Sequence, residues 1–281
     1  MSREPGGAVE PVRRAYGEHP CQYGEFYPAA HGRGPGQPGA GAVAVLHGGF
    51  WRAHRGVEMT APLCAHLARQ GRHVWNVEYR RAGQGDWRAT LDDCAAGIAH
   101  LAVLAEEFGF AGALAHTAVV GHSAGGQLAV WAAGGDVRAA ARPLRESVRI
   151  REVVSLAGVL DLGHAARTHV GEDAVRQFLG GGPDDRPERY ELADPARRPP
   201  PAATVHCVHG EADERVPFEL SERYVRAAAR AGGDVRLIRV PGRHTDPIDP
   251  GSPAWRAAAR RIGVLRPADP AGRPSDRPPT E

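Results

Sequence analysis

Short apolar, β-branched runs alternate along the chain with longer stretches in which apolar residues recur at helical spacing. Runs near 42–47, 73–79, 117–121, 152–157, 203–209 and 235–240 predict strands, and the alternating string Gln22-Tyr23-Gly24-Glu25-Phe26-Tyr27 predicts an edge strand. Between them, Leu63, His66, Leu67 and Gln70 share one helical face, and further helices are predicted over 91–108, 125–133, 218–231 and 253–262. Strands that are almost wholly apolar and separated by helices imply an α/β fold, with a mainly parallel sheet covered on both faces. In such sheets ligands bind beyond the carboxyl ends of the strands.

With 281 residues, 42% of them hydrophobic, the chain can bury one sizeable core. The organisation reads as a flexible N-terminus over 1–19, one domain over 20–266 and a disordered tail rich in Pro, Arg and Asp over 267–281. Residues 158–200 break the rhythm with Gly180-Gly181-Gly182-Pro183 and Pro199-Pro200-Pro201, which suits either a pocket cover or an ordinary long connection. Gly34-Pro35-Gly36-Gln37-Pro38-Gly39 matches the dinucleotide fingerprint literally, but it precedes a strand instead of following one, and its prolines suit no helix start. No cofactor is expected there.

The net charge of +2 and the absence of a basic stripe argue against nucleic acid as a partner. No run approaches the roughly 20 apolar residues of a membrane span. Cys21, Cys64, Cys94 and Cys207 form no Cys-x-x-Cys pair, and the N-terminal residues do not resemble a signal peptide, so reduced thiols and a cytoplasmic location are expected. The oligomeric state stays open. All 35 basic residues are arginine. Without lysine there can be no Schiff base, Walker lysine or Ser-Lys dyad, so a serine nucleophile must rely on histidine. Among 14 histidines, His206 and His209 flank Cys207-Val208 on a predicted strand, where they point to opposite faces and cannot chelate one ion. No metal is expected.

Gly121-His122-Ser123-Ala124-Gly125-Gly126 closes one apolar run and opens a helix, the placement that exposes a serine hydroxyl on a sharp turn. Serine is a weak nucleophile near neutral pH. It needs a base, a group orienting that base, and donors aimed at the developing oxyanion. The amide of Ala124 is one candidate donor, and the amides of Gly49 and Phe50 in His47-Gly48-Gly49-Phe50-Trp51 are the others. His47 is expected to hold that loop, and His122 to pack the elbow. Asp213, in the turn after the strand ending near His209, is the candidate acid. Glu211 and Glu214 are expected to be solvated, and Asp161 is the runner-up. His244, in the loop after the last strand, is the candidate base, which places Ser, Asp and His in the chain order this architecture uses. Trp51, Tyr79 and Trp87 could line an apolar pocket or pack the core.

These strings, with His209 to Pro217 and Gly242 to His244, resemble those of the α/β-hydrolase superfamily over about residues 20–265. Within it, His-Gly-Gly-Phe-Trp is similar to the loop of small esterases related to hormone-sensitive lipase and of kynurenine formamidases. The prolyl-oligopeptidase group has a similar serine and acid region. The resemblance implies Ser123, Asp213 and His244 as a triad acting on a small carboxylic ester through an acyl-enzyme. Aryl formamides or small peptide substrates are the enzymatic alternatives. A non-catalytic binding protein on a hydrolase scaffold is the competing class.

Overall fold

The computed structural model describes residues 10–30, 41–134 and 148–265. The Gly34–Gly39 string and the expected tail over 267–281 lie outside the described residues. Eight strands form one sheet: β1 (Val12–Ala15), β2 (Tyr23–Tyr27), β3 (Ala42–Leu46), β4 (His73–Val77), β5 (Thr117–His122), β6 (Ile150–Leu156), β7 (Thr204–Gly210) and β8 (Val235–Val240). Their order is β1-β2-β4-β3-β5-β6-β7-β8. β2 runs antiparallel to both of its neighbours, and from β4 to β8 every pair is parallel.

The all-apolar strands are buried on both faces because successive side chains point to opposite sides. Ala42, Ala44 and Leu46 of β3 and Val119 of β5 enter one core, whereas Val43, Val45, Ala118 and Val120 enter the other. The first core is covered by α2 (Trp87–Ala99), α3 (Leu101–Phe108) and α4 (Ala124–Ala133), and the second by α1 (Ala61–Arg69) and a C-terminal helix, Pro253–Arg261. The expected single helix over 91–108 is two helices flanking His100. The first starts earlier than expected because the Asp86 side chain caps it, accepting from Ala89 N at 2.8 Å.

The expectation of a flexible segment over 1–19 is corrected for its second half. Val12–Ala15 pairs with β2, its Arg13 guanidinium lies 3.4 Å from the centre of the Tyr23 ring, and Arg14 binds Glu107. A four-residue edge strand carrying two arginines has no apolar alternation to announce it.

Residues 158–200 carry α5 (Leu162–Arg167), α6 (Val170–Leu179) and α7 (Pro187–Ala193). Buried Asp194 closes this segment on itself, accepting from the amides of Leu162 at 3.0 Å and Gly163 at 2.9 Å. α6 opens through a left-handed turn, with φ of 65°, 57° and 63° at Gly171, Glu172 and Asp173. The later elements are α8 (Glu219–Arg230) and α9 (Pro253–Arg261), the C-terminal helix of the second core.

Candidate active site

β5 ends at His122, Ser123 makes the turn at φ 56° and ψ −120°, and α4 begins at Ala124. Positive φ is unfavourable for serine. The glycines around it are demanded by contact, since a Cβ at Gly121 would lie 2.0 Å from the Gly125 carbonyl oxygen, and one at Gly125 would lie 2.2 Å from that of Leu46. Gly126 is equally constrained, because its Cβ would meet Ser155 Oγ at 2.6 Å. The Ser123 amide is itself anchored, donating to the Leu156 carbonyl at 2.8 Å.

The loop from His47 to Trp51 follows β3, the neighbour of β5, so parallel pairing carries it to the elbow. The approach is close. A Cβ at Gly48 would lie 3.0 Å from both Ser123 Cβ and His122 Nδ1. Gly49, Phe50 and Trp51 all have positive φ, at 112°, 54° and 54°, and a buried polar cluster holds this strained turn. His47 Nδ1 lies 2.8 Å from the Gly48 carbonyl oxygen, and its Nε2 lies 3.0 Å from Glu78 Oε1. Arg81 pairs with Glu78 at 3.0 Å, and the Tyr79 hydroxyl donates to the His47 carbonyl at 2.7 Å. Burial works to raise the Glu78 carboxyl, but the hydrogen bond from His47 and the charges of His47 and Arg81 hold it below its ordinary value.

Asp213 sits in the turn after β7 and His244 in the loop after β8. The two meet, with His244 Nδ1 donating to Asp213 Oδ2 at 2.8 Å. The other carboxylate oxygen accepts from the amides of Arg215 and Val216, both at 2.9 Å, and His209 Nε2 lies 3.2 Å from Oδ2. Burial alone would raise the Asp213 carboxyl, yet the two imidazoles and the Val216 amide hold it well below the usual carboxylate range. His244 is 5% exposed and Ser123 2%. His122, which precedes the serine, donates from Nε2 to the His244 carbonyl at 3.0 Å, and the two rings lie 4.7 Å apart.

Other expected residues have different duties. Asp161 accepts from His164 N at 2.8 Å to cap α5 and pairs with Arg223 at 2.7 Å, away from His244. His206 binds Glu152 at 2.8 Å, whereas His209 Nδ1 meets Ser221 Oγ at 2.7 Å. Trp51 and Tyr79 do not form open pocket walls. Trp51 is 1% exposed, donates to Gln127 Oε1 at 3.1 Å and stacks on Phe178 at 4.7 Å, while the Tyr79 ring stacks on His47. Trp87 lies beside a hollow of about 240 Å³, together with Asp86, Gln177, Phe178 and Arg189.

The segment from 158 to 200 leans on the same loop. Arg52 donates to the Gly171 carbonyl at 2.9 Å and to Gln177 Oε1 at 3.1 Å, and a Cβ at Gly171 would lie 2.4 Å from the Phe50 ring. Sequence reasoning missed Glu78 and Gln127 as loop anchors and His209 as a neighbour of the acid. A charged residue directly after an apolar strand was the available signal for Glu78.

Comparison with known proteins gives the same architecture. A truncated carbohydrate esterase from gut microbiota superposes with a TM-score of 0.75 at 19% identity, covering 91% of this chain and 97% of its own. Esterase 2 of Thermogutta terrifontis, in a form phosphoramylated by tabun, gives 0.67 at 21% identity, with 94% of each chain covered. Carboxyl esterase 2 of the mycorrhizal fungus Tuber melanosporum gives 0.68 at 19%, covering 92% of this chain and 87% of its own. No curated protein matches the sequence. The strand order, the serine turn and these superpositions define an α/β-hydrolase fold. The profile of the BD-FAE family matches residues 35–227, and the chain belongs to that family.

Proposed function

We propose that the protein is a serine hydrolase that cleaves small carboxylic esters through an acyl-enzyme. The observation that carries this reading is the buried Asp213–His244 pair, 2.8 Å apart and tied through the His244 carbonyl to the residue beside Ser123. Because Nδ1 of His244 gives its hydrogen to the carboxylate, Nε2 is left with a lone pair that can take a proton from the Ser123 hydroxyl. Ser123 Oγ attacks the acyl carbon. His244 then protonates the departing alkoxide, and water, deprotonated by the same ring, releases the acid.

Charge on the tetrahedral oxygen is met by main-chain N–H groups of Ala124, Gly49 and Phe50. Ala124 is the first residue of α4, so its amide has no partner within the helix. The Glu78–His47–Tyr79 cluster keeps the Gly49–Phe50 backbone in its strained form, so the donors are oriented before substrate arrives. The three superposed structures, all described as esterases, support ester over amide as the substrate bond. Residues 158–200, docked on Phe50 and Arg52, act as the pocket cover. No helix among the described residues is long and apolar enough to cross a membrane. Four unpaired cysteines support a cytoplasmic location.

A fluorophosphonate probe and p-nitrophenyl acetate test the reading together. The protein is expected to label at Ser123 and turn over the ester, and Ser123→Ala to lose both with its fold intact. Turnover unchanged in that variant would remove the nucleophile.

A further inference from the structure

His122 lies where the serine turn, the loop after β3 and the loop after β8 meet. Its Nε2 faces the His244 carbonyl oxygen, which can only accept, so the ring hydrogen is on Nε2 and Nδ1 carries a bare lone pair. That Nδ1 is buried with no hydrogen-bond partner, pressed against Gly48. An orphaned buried acceptor costs stability, and an apolar side chain of similar size would avoid that cost. Packing alone therefore does not account for histidine here. The useful part of the ring is the Nε2 hydrogen.

The geometry points to His122 as a positioning residue for the base: its Nε2–H grips the His244 main chain and so sets where the His244 imidazole stands relative to Ser123. This inference rests on the Ser123–Asp213–His244 reading. A carbonyl and a side chain leave neighbouring atoms of one residue, so holding the carbonyl restricts the backbone rotation from which the imidazole projects. The same loop is held at its other end, where Ala212 N donates to the Gly242 carbonyl at 3.0 Å and Arg243 N donates to Asp246 Oδ2 at 2.7 Å. The first contact ties the loop to the turn after β7, and the second closes the loop on itself. The His122 bond ties it to the elbow.

Neutrality of the ring matters to this role. The ionisable groups around it are His244, Asp213 and His209. Burial, reinforced by the nearby His244, pushes the His122 imidazole down to about 3. It therefore stays an uncharged donor while His244 gains and loses its proton, and it adds no positive charge beside the imidazolium formed on serine attack.

The test compares His122→Leu, which removes the donor, with His122→Gln, whose amide nitrogen reaches close to where Nε2 stands. Steady-state turnover of p-nitrophenyl acetate is measured alongside Ser123→Ala. His122→Leu is expected to lower kcat on the order of 10- to 100-fold while KM changes by less than about threefold. His122→Gln is expected to recover most of the loss in kcat, and the Leu variant, which leaves the buried His244 carbonyl without its donor, is expected to melt a few degrees lower while staying folded at the assay temperature. Should the Leu variant fail to fold, His122→Asn, whose amide is too short to reach the carbonyl, replaces it. Wild-type kcat without the donor, or equal losses in the Gln and donor-free variants, overturns the inference. If Ser123→Ala retains turnover, the underlying triad reading falls instead.

Discussion

Asp213 and Asp194 are both sealed from water, and the protein treats them in opposite ways. Asp213, at the rim above β7, receives the Nδ1–H of His244 and two amides, with His209 Nε2 3.2 Å away, and its carboxyl is held below the usual range. Asp194, which closes the 158–200 segment, receives the amides of Leu162, Gly163 and Ala196, and burial, aided by the nearby Asp161 carboxylate, raises it to about 6 despite them. Asp194 is the more deeply packed of the two, and its partners differ as well. An imidazole that can take up positive charge stands 2.8 Å from Asp213, whereas the close partners of Asp194 are neutral amides and its guanidinium partner, Arg197, lies 3.7 Å away and is partly exposed. Under the proposed triad, Asp213 has to remain anionic beside a ring that becomes cationic, and the first environment suits that role. A group that organises a helix start functions in the second.

The sharpest way to break this contrast is Asp213→Asn, which keeps the shape but favours the wrong tautomer of His244. Its kcat is expected to fall on the order of 10⁴-fold with the fold retained, as the aspartate of such a triad requires. A loss below tenfold would show that Asp213 is not the orienting acid. Asp194→Ala comes next in size, because it orphans two buried amides at the start of α5. Unfolding in urea is expected to reveal a loss of about 2–4 kcal/mol, with any change in ester turnover much smaller than that of Asp213→Asn. Unchanged stability would deny Asp194 its closing role.

The smallest effect concerns pH, and the two carboxylates have opposite signs. The folded value of about 6 for Asp194 lies above that of an unfolded aspartate, about 3.9. Protons therefore favour the folded state at this residue, and its contribution to stability grows as pH falls from above 6 toward about 4. Asp213 is depressed, so its contribution is complete above about 3.9 and is lost only on further acidification toward its lower folded value. Of the two carboxylates, only Asp194 should respond between pH 8 and pH 5. Wild type is expected to gain on the order of 1–3 kcal/mol relative to Asp194→Asn over that interval. A gap that does not change with pH would place the Asp194 carboxyl near its ordinary value.

Much of the scaffold was legible because its signals are local. The continuous apolar runs of β3 and β5, the glycines around Ser123 and the order of Ser123, Asp213 and His244 can all be read without knowing what folds against what. β1 escaped because an arginine-bearing edge strand lacks an apolar face. Trp51 and Tyr79 were legible as aromatics near a strand end, but their direction depended on Phe178, Gln127 and His47, which come from other parts of the chain.

The amino-acid sequence alone determined the strand and helix rhythm, the serine turn and the candidate acid and base, since backbone sterics and apolar periodicity act over a few neighbours. Only the tertiary structure decided that Glu78 anchors His47, that His209 stands beside Asp213, and that His122 holds His244. The first and third join strand ends far apart in sequence that parallel register brings within hydrogen-bond reach, whereas the second spans four residues and is set by how the turn after β7 folds back.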